Sequence, residues 1–211
     1  MQILSLTQEN ARAVVTRAAE VLVSGGVVLY PTDTLYGLGV DAFSDEAVAK
    51  IYEIKSRDTN NPMSVLVSSM DMAERYAEIT HTARTLADNF LPGPLTLILD
   101  KKPAWETGVG LETETIGLRI PQNAFCIAMA HLFDGGITAT SANRSGQLPE
   151  MTLGLILAQL GSAIELVDLV IDAGDPLSGA PSTVVDARTS KPRILREGVI
   201  SETALLKAFA G

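Results

Sequence analysis

Apolar positions along the chain switch repeatedly between a helical and a strand-like period. Residues 2–6 read as a short strand. Thr7 can cap a helix running to about Ser24, with Ala11, Val14, Ala18 and Val21 on one face and Gly25–Gly26 ending it. Residues 27–30 form a buried-type strand, stopped by Pro31. Ser44, Asp45 and Glu46 open a second helix with Val48, Ile51 and Tyr52 on its apolar face. Its acids lie in the first turn and Lys55 in the last, which suits the helix dipole.

Further along, residues 63–67 read as a strand, and 71–77 and 82–90 as helices, before the break at Pro92-Gly93-Pro94. Residues 95–99 and 116–120 are strands separated by a connection over 101–115. A helix over 123–133 ends at Gly135–Gly136, and a strand follows over 137–140. The pattern then predicts a helix over 153–160, strands over 169–172, 182–186 and 193–195, and a closing helix over 202–209. No internal repeat or low-complexity linker interrupts this order. It implies one α/β domain over 1–211, with a twisted mixed parallel/antiparallel sheet flanked by helices rather than strict βαβ alternation.

Composition narrows the function. The 211 residues carry 16 Lys or Arg against 25 Asp or Glu, a net charge of −9. That balance argues against a protein that coats nucleic acid and leaves room for a local basic pocket. An apolar content of 46% excludes a disordered chain. Cys126 is the single cysteine, so no internal disulfide is available. The first ten residues lack the pattern of a secretory leader, and Gln159, Glu165 and Asp168 interrupt the longest apolar stretch. The expectation is a cytoplasmic protein with no membrane span. His81 and His131 lack partners at metal-ligand spacing, so no metal site made by side chains is expected. The chemistry falls to Lys, Arg, Ser, Thr, Asn and Asp.

Five polar clusters sit where predicted strands and helices end, the places where ligands bind in open α/β sheets. Thr32, Asp33, Thr34 and Tyr36 precede Gly37 and Gly39, whose missing side chains would let backbone approach a ligand; a capped turn explains the cluster equally well. Lys55 and Arg57, with Asn61 beyond them, can converge on a polyphosphate or simply answer a helix dipole. Arg119 lies in an apolar strand ending at Pro121 and faces either solvent or a cleft anion. Ser141, Asn143 and Ser145 follow a strand and resemble a phosphate- or ribose-cradling loop, or an Asx/Ser turn. Ser182 enters a strand, and Arg196 closes the next one. No P-loop, Rossmann glycine fingerprint or nucleophile elbow is present. The joint content suits a nucleotide plus a small zwitterion better than covalent catalysis.

In this order the clusters resemble the YrdC/Sua5 family of threonylcarbamoyl-AMP synthases. The matching elements are P-T-D-T-L-Y-G-L from Pro31, K-S-R from Lys55, N-P-M-S-V-L-V from Asn61 and P-G-P-L-T from Pro92. They continue with G-L-R-I-P from Gly117, T-S-A-N-R-S-G from Thr140, S-T-V-V-D from Ser182 and R-E-G from Arg196. The resemblance implies the short, single-domain form of the family fold, with a deep basic cleft. It implies that L-threonine, bicarbonate or CO2, and ATP with Mg²⁺ give L-threonylcarbamoyladenylate and pyrophosphate. A partner transferase would then carry the threonylcarbamoyl group to adenosine 37 of tRNA. By the same resemblance Thr34, Arg119 and Ser182 hold threonine, and Lys55, Arg57, Asn61, Ser141, Asn143 and Arg196 hold ATP. Lys55 and Arg57 are the catalytic pair, with Thr32, Asp33, Tyr36 and Ser145 in support.

Two positions depart from the pattern of many relatives. Asp58 stands where they carry proline, and Leu66 where some carry a histidine near threonine. Competing readings are a paralogue without synthase activity that binds nucleotide or makes a weak tRNA contact, and a carbamoyl-transfer module like those fused into hydrogenase-maturation proteins.

Overall fold

The computed structural model describes residues 1–59, 61–103, 105, 107–174 and 179–209. Its strands are β1 (Gln2–Ser5), β2 (Val28–Tyr30), β3 (Gly37–Gly39), β4 (Ser64–Leu66) and β5 (Leu95–Asp100). They continue with β6 (Thr115–Arg119), β7 (Ile137–Ser141), β8 (Leu169–Asp172), β9 (Thr183–Asp186) and β10 (Arg193–Arg196). The helices are α1 (Ala11–Val23), α2 (Asp45–Lys55), α3 (Met70–Tyr76), α4 (His81–Phe90), α5 (Ala124–Phe133), α6 (Leu153–Leu160) and α7 (Glu202–Lys207). The strands form one mixed sheet in the order β1-β8-β2-β3-β7-β4-β6-β5-β9-β10.

Local chemistry sets most helix starts. Ser44, Ser69, Thr80, Asn123, Thr152 and Ser201 each accept a backbone N–H of the first turn of the helix they precede. Helix α1 differs from the expectation. Thr7 N–H donates to the Asn10 side chain at 2.8 Å, which closes a turn, and the helix begins only at Ala11. Strand β3 was hidden in the polar cluster after Pro31; it pairs antiparallel with β2 and β7. A 3-10 turn over Gly161–Leu166 was also unpredicted.

The two glycines of β3 also make room for a side chain, and Gly37 lines the cavity described below. A Cβ on Gly39 would lie 2.6 Å from Tyr30 Cε1 and 2.8 Å from Ile137 Cγ2, and one on Gly37 would lie 3.0 Å from Tyr30 Cζ. The space they leave is filled by the Tyr30 ring, whose hydroxyl donates to the Thr138 carbonyl at 3.0 Å.

Alternation along the strands divides the sheet into two faces. Val65, Leu95, Leu97, Leu99, Leu118 and Val185 join a core with residues of α2, α3, α4 and α6. On the other face, Tyr30, Leu66, Ile137 and Leu169 pack with α1 and α5. Beyond β4 this second face turns polar, and there it carries the cleft.

Candidate functional site

The cleft is a cavity of about 490 Å³ on that second face. Alternate residues of β4 and β5 line it, Ser64 and Leu66, Thr96 and Ile98, and the end of β7 adds Ala139, Thr140 and Ser141. Ser182 and Val184 do the same from the β9 segment. Thus the site occupies a sheet face as well as the strand ends. Arg57, Arg119 and Arg196 also line it, and no carboxylate does among the described residues.

At one end, Thr32 organises the turn after β2. Its hydroxyl donates to the Leu35 carbonyl at 2.6 Å and accepts the backbone N–H groups of Thr34 and Leu35. Thr34 is thereby held with its hydroxyl 2.9 Å from an Arg119 terminal nitrogen. Asp33 pairs with the same guanidinium and accepts the Gln122 N–H at 3.1 Å. The Arg119 Nε is buried and has no hydrogen-bond partner among the described residues. A buried charged donor left unserved is costly; the rest of the guanidinium lines the cavity, where it suits an entering carboxylate.

The wall formed by β5, β9 and β10 carries a hydroxyl pair. Thr96 and Ser182 lie 2.9 Å apart, both buried. Arg196 donates to the Ser182 carbonyl at 2.9 Å and meets its hydroxyl at 3.3 Å. A register shift in β10 brings Arg196 opposite Val184, with Leu195 passed over; such bulges re-aim side chains beside sites. Gly198 is required just beyond, because a Cβ there would lie 2.2 Å from the Pro181 carbonyl oxygen. Burial, and secondarily the nearby Arg119 charge, pull the Arg196 pKa below its ordinary value.

The remaining wall joins the end of α2 to the loop after β7. Ser56 adopts the left-handed conformation, φ 48°, and ends α2. Arg57 then turns toward the cavity and donates to the carbonyls of Asn61 and Pro62 at 3.0 and 3.1 Å. Lys55 lies behind this wall, 1% exposed, and does not line the cavity. Its ammonium donates to the Ser141 and Asn143 carbonyls and to the Asn143 side-chain oxygen. Burial, and secondarily Arg57, draw its pKa down to about 7.

The other expected residues have distinct places. Ser141 lines the cavity and donates to the Asn143 side-chain oxygen at 2.5 Å; Asn143 itself is buried behind it. Asn61 is exposed and contributes its carbonyl to Arg57 and Tyr52. Ser145 is exposed and ties its N–H to the Lys55 carbonyl at 2.8 Å. Tyr36 lines the cavity, and its hydroxyl bridges the Ala173 N–H and the Gly174 carbonyl. Leu66 lines the cavity, whereas Asp58 is exposed outside it. Thr96 and Ser64 were missed. Each is a polar residue beside apolar strand neighbours, on the phase that Arg119 and Ser182 share.

Fold and site together define a mixed-sheet α/β protein whose cleft gathers three guanidiniums and a set of hydroxyls. The family model for Sua5, YciO and YrdC proteins, described as "Telomere recombination", matches residues 20–198, and the chain belongs to this family. A Methanocaldococcus jannaschii relative is 36% identical over 200 residues, spanning 95% of this chain and 93% of its own length. The mouse threonylcarbamoyl-AMP synthase is 32% identical over 197 residues, 89% of this chain and 69% of that one. The crystal structure of Pyrococcus abyssi Sua5 complexed with L-threonine superposes with a TM-score of 0.91 at 30% identity, over 99% of this chain and 61% of that longer one.

Proposed function

We propose that this chain is a threonylcarbamoyl-AMP synthase, a nucleotidyltransferase that consumes L-threonine, bicarbonate or CO2, and ATP. The observation that carries this reading is the nearly buried Arg119 beside Thr34, in one cavity with Arg57 and Arg196. A carboxylate takes Arg119; a triphosphate takes the other two. Relatives named for this activity support the same reading.

The reaction needs placement more than acid–base chemistry. The neutral amine of threonine adds to CO2, loses a proton and becomes a carbamate. A carbamate oxygen then attacks the α-phosphorus, and pyrophosphate leaves. Holding both anions in one cavity makes the encounter intramolecular, and Arg57 and Arg196 counter the charge that develops on phosphate oxygens. Ser182 and Thr34 orient the amino acid through their hydroxyls. Ser141 and Asn143 shape the nucleotide wall, and Lys55 secures it. No carboxylate among the described residues lines the cavity, so magnesium would enter as MgATP, carried by the substrate. The product would pass in the cytoplasm to a transferase that modifies tRNA.

Pyrophosphate release is the assay. It should require ATP, threonine and bicarbonate together. Release that persists without threonine would contradict the reading.

A further inference from the structure

We propose that Arg144 is a positioning residue for the nucleotide wall, a role that rests on the function proposed above. Its guanidinium sits at the C-terminal end of α6. There Nε donates to the Gln159 carbonyl at 3.2 Å and one terminal nitrogen donates to the Leu160 carbonyl at 3.0 Å. The other terminal nitrogen lies 3.4 Å from the Ser56 hydroxyl, and the Arg144 backbone N–H meets the Gln159 side chain at 3.3 Å.

Three physical reasons make this more than a surface contact. The last carbonyls of a helix lack intrahelical partners, and the negative end of the dipole favours a cation. Arg144 supplies both needs at once. Helix α6 is itself anchored in the core through Ile156 and Leu160. The tether therefore runs from the core to the cleft wall.

The connection into the site is direct. The Arg144 carbonyl accepts Asn143 Nδ2 at 3.0 Å, and the Gln147 carbonyl accepts the same nitrogen at 2.6 Å. The opposite side-chain atom of Asn143 receives the Ser141 hydroxyl and the Lys55 ammonium. Lys55 thus holds the loop from α2, and Arg144 holds it from α6. Arg144 also reaches Ser56, the residue immediately before Arg57. It fixes Ser141 and Arg57 relative to each other without entering the cavity.

Geometry separates arginine from lysine here. Two adjacent carbonyls are served by two nitrogens of one planar fork, and a lysine can serve them only as a point charge. Arg144→Ala should weaken MgATP binding roughly tenfold, about the scale of one lost charged hydrogen bond. Arg144→Lys should recover part of that loss. Threonine KM should stay within about twofold in both variants, since Arg119 and Thr34 lie on a separate tether.

The test combines MgATP titration calorimetry, initial rates of pyrophosphate release against each substrate, and amide hydrogen exchange. Exchange should rise at residues 141–147 of Arg144→Ala while the α6 core residues stay protected. Wild-type affinity for MgATP in Arg144→Ala, or equal losses for both substrates, would overturn the proposal. If the wild type releases no pyrophosphate, the functional reading fails, and hydrogen exchange still decides whether Arg144 holds the loop.

Discussion

Arg119 and Asp33 form a nearly buried ion pair that leaves one face of the guanidinium committed and its Nε without a partner among the described residues. The pair joins the end of β6 to the turn after β2, 86 residues apart in sequence. It fixes the arginine before any ligand arrives, so the ordering cost of binding is already met in the fold.

Arg119→Lys keeps the charge and can keep Asp33, but lacks a second planar donor. Its threonine KM should rise about tenfold or more, with ATP KM nearly unchanged. Steady-state rates against each substrate check this. An unchanged threonine KM would remove Arg119 from the amino-acid site.

Gly39→Ala should destabilise the protein by about 1–3 kcal/mol, because its Cβ would press on Tyr30 and Ile137. Gly154→Ala is the control: it lies in α6, nothing stands within 4 Å of its Cβ, and alanine is the better helix former there. Urea denaturation should move the two midpoints in opposite directions.

Lys55 is drawn to a pKa of about 7 from an ordinary 10.5. Between those values the unfolded chain binds a proton that the folded chain releases, so this group makes stability rise with pH from about 7 toward 10. Below pH 7 both states hold the proton, and the burial cost stands in full. Lysine 13Cε spectra should show one amine titrating near neutrality. All lysines titrating near 10 would instead show that the three oxygen acceptors outweigh burial.

Thr96→Val removes one hydroxyl at nearly constant volume and leaves Ser182 without its 2.9 Å partner. The synthase kcat/KM should fall about fivefold, the scale of one neutral hydrogen bond. The thermal midpoint reports separately on the fold, and a wild-type rate would make Thr96 a bystander.

How much of this was legible in the sequence differs between elements. Periodicity gave nearly every strand and helix, because each buries one regular face. It missed β3, where Gly37 and Gly39 offer no apolar signal and exist to seat Tyr30. It placed the helix start at Thr7 because a hydroxyl before an apolar run reads as a cap; only the Thr7–Asn10 contact shows that a turn intervenes. Candidate residues such as Arg57, Arg119, Ser141 and Ser182 stand on the cavity wall. Lys55 and Asn143 stand one layer behind it, and depth is something residue type cannot reveal. Thr96 was readable in principle, as the polar member of Leu95 to Leu99. Recognising it needs the register that sets it beside Ser182, which belongs to the sheet and not to the local run.

On the proposed function, one cavity joins threonine, CO2 and ATP. Incubation with 13C-bicarbonate, threonine and ATP, followed at once by mass spectrometry, tests it most directly. The expected product is threonylcarbamoyladenylate heavier by the one labelled carbon, formed in step with pyrophosphate. ATP consumed without a labelled adenylate, or no turnover by well-folded protein with all three present, would contradict it.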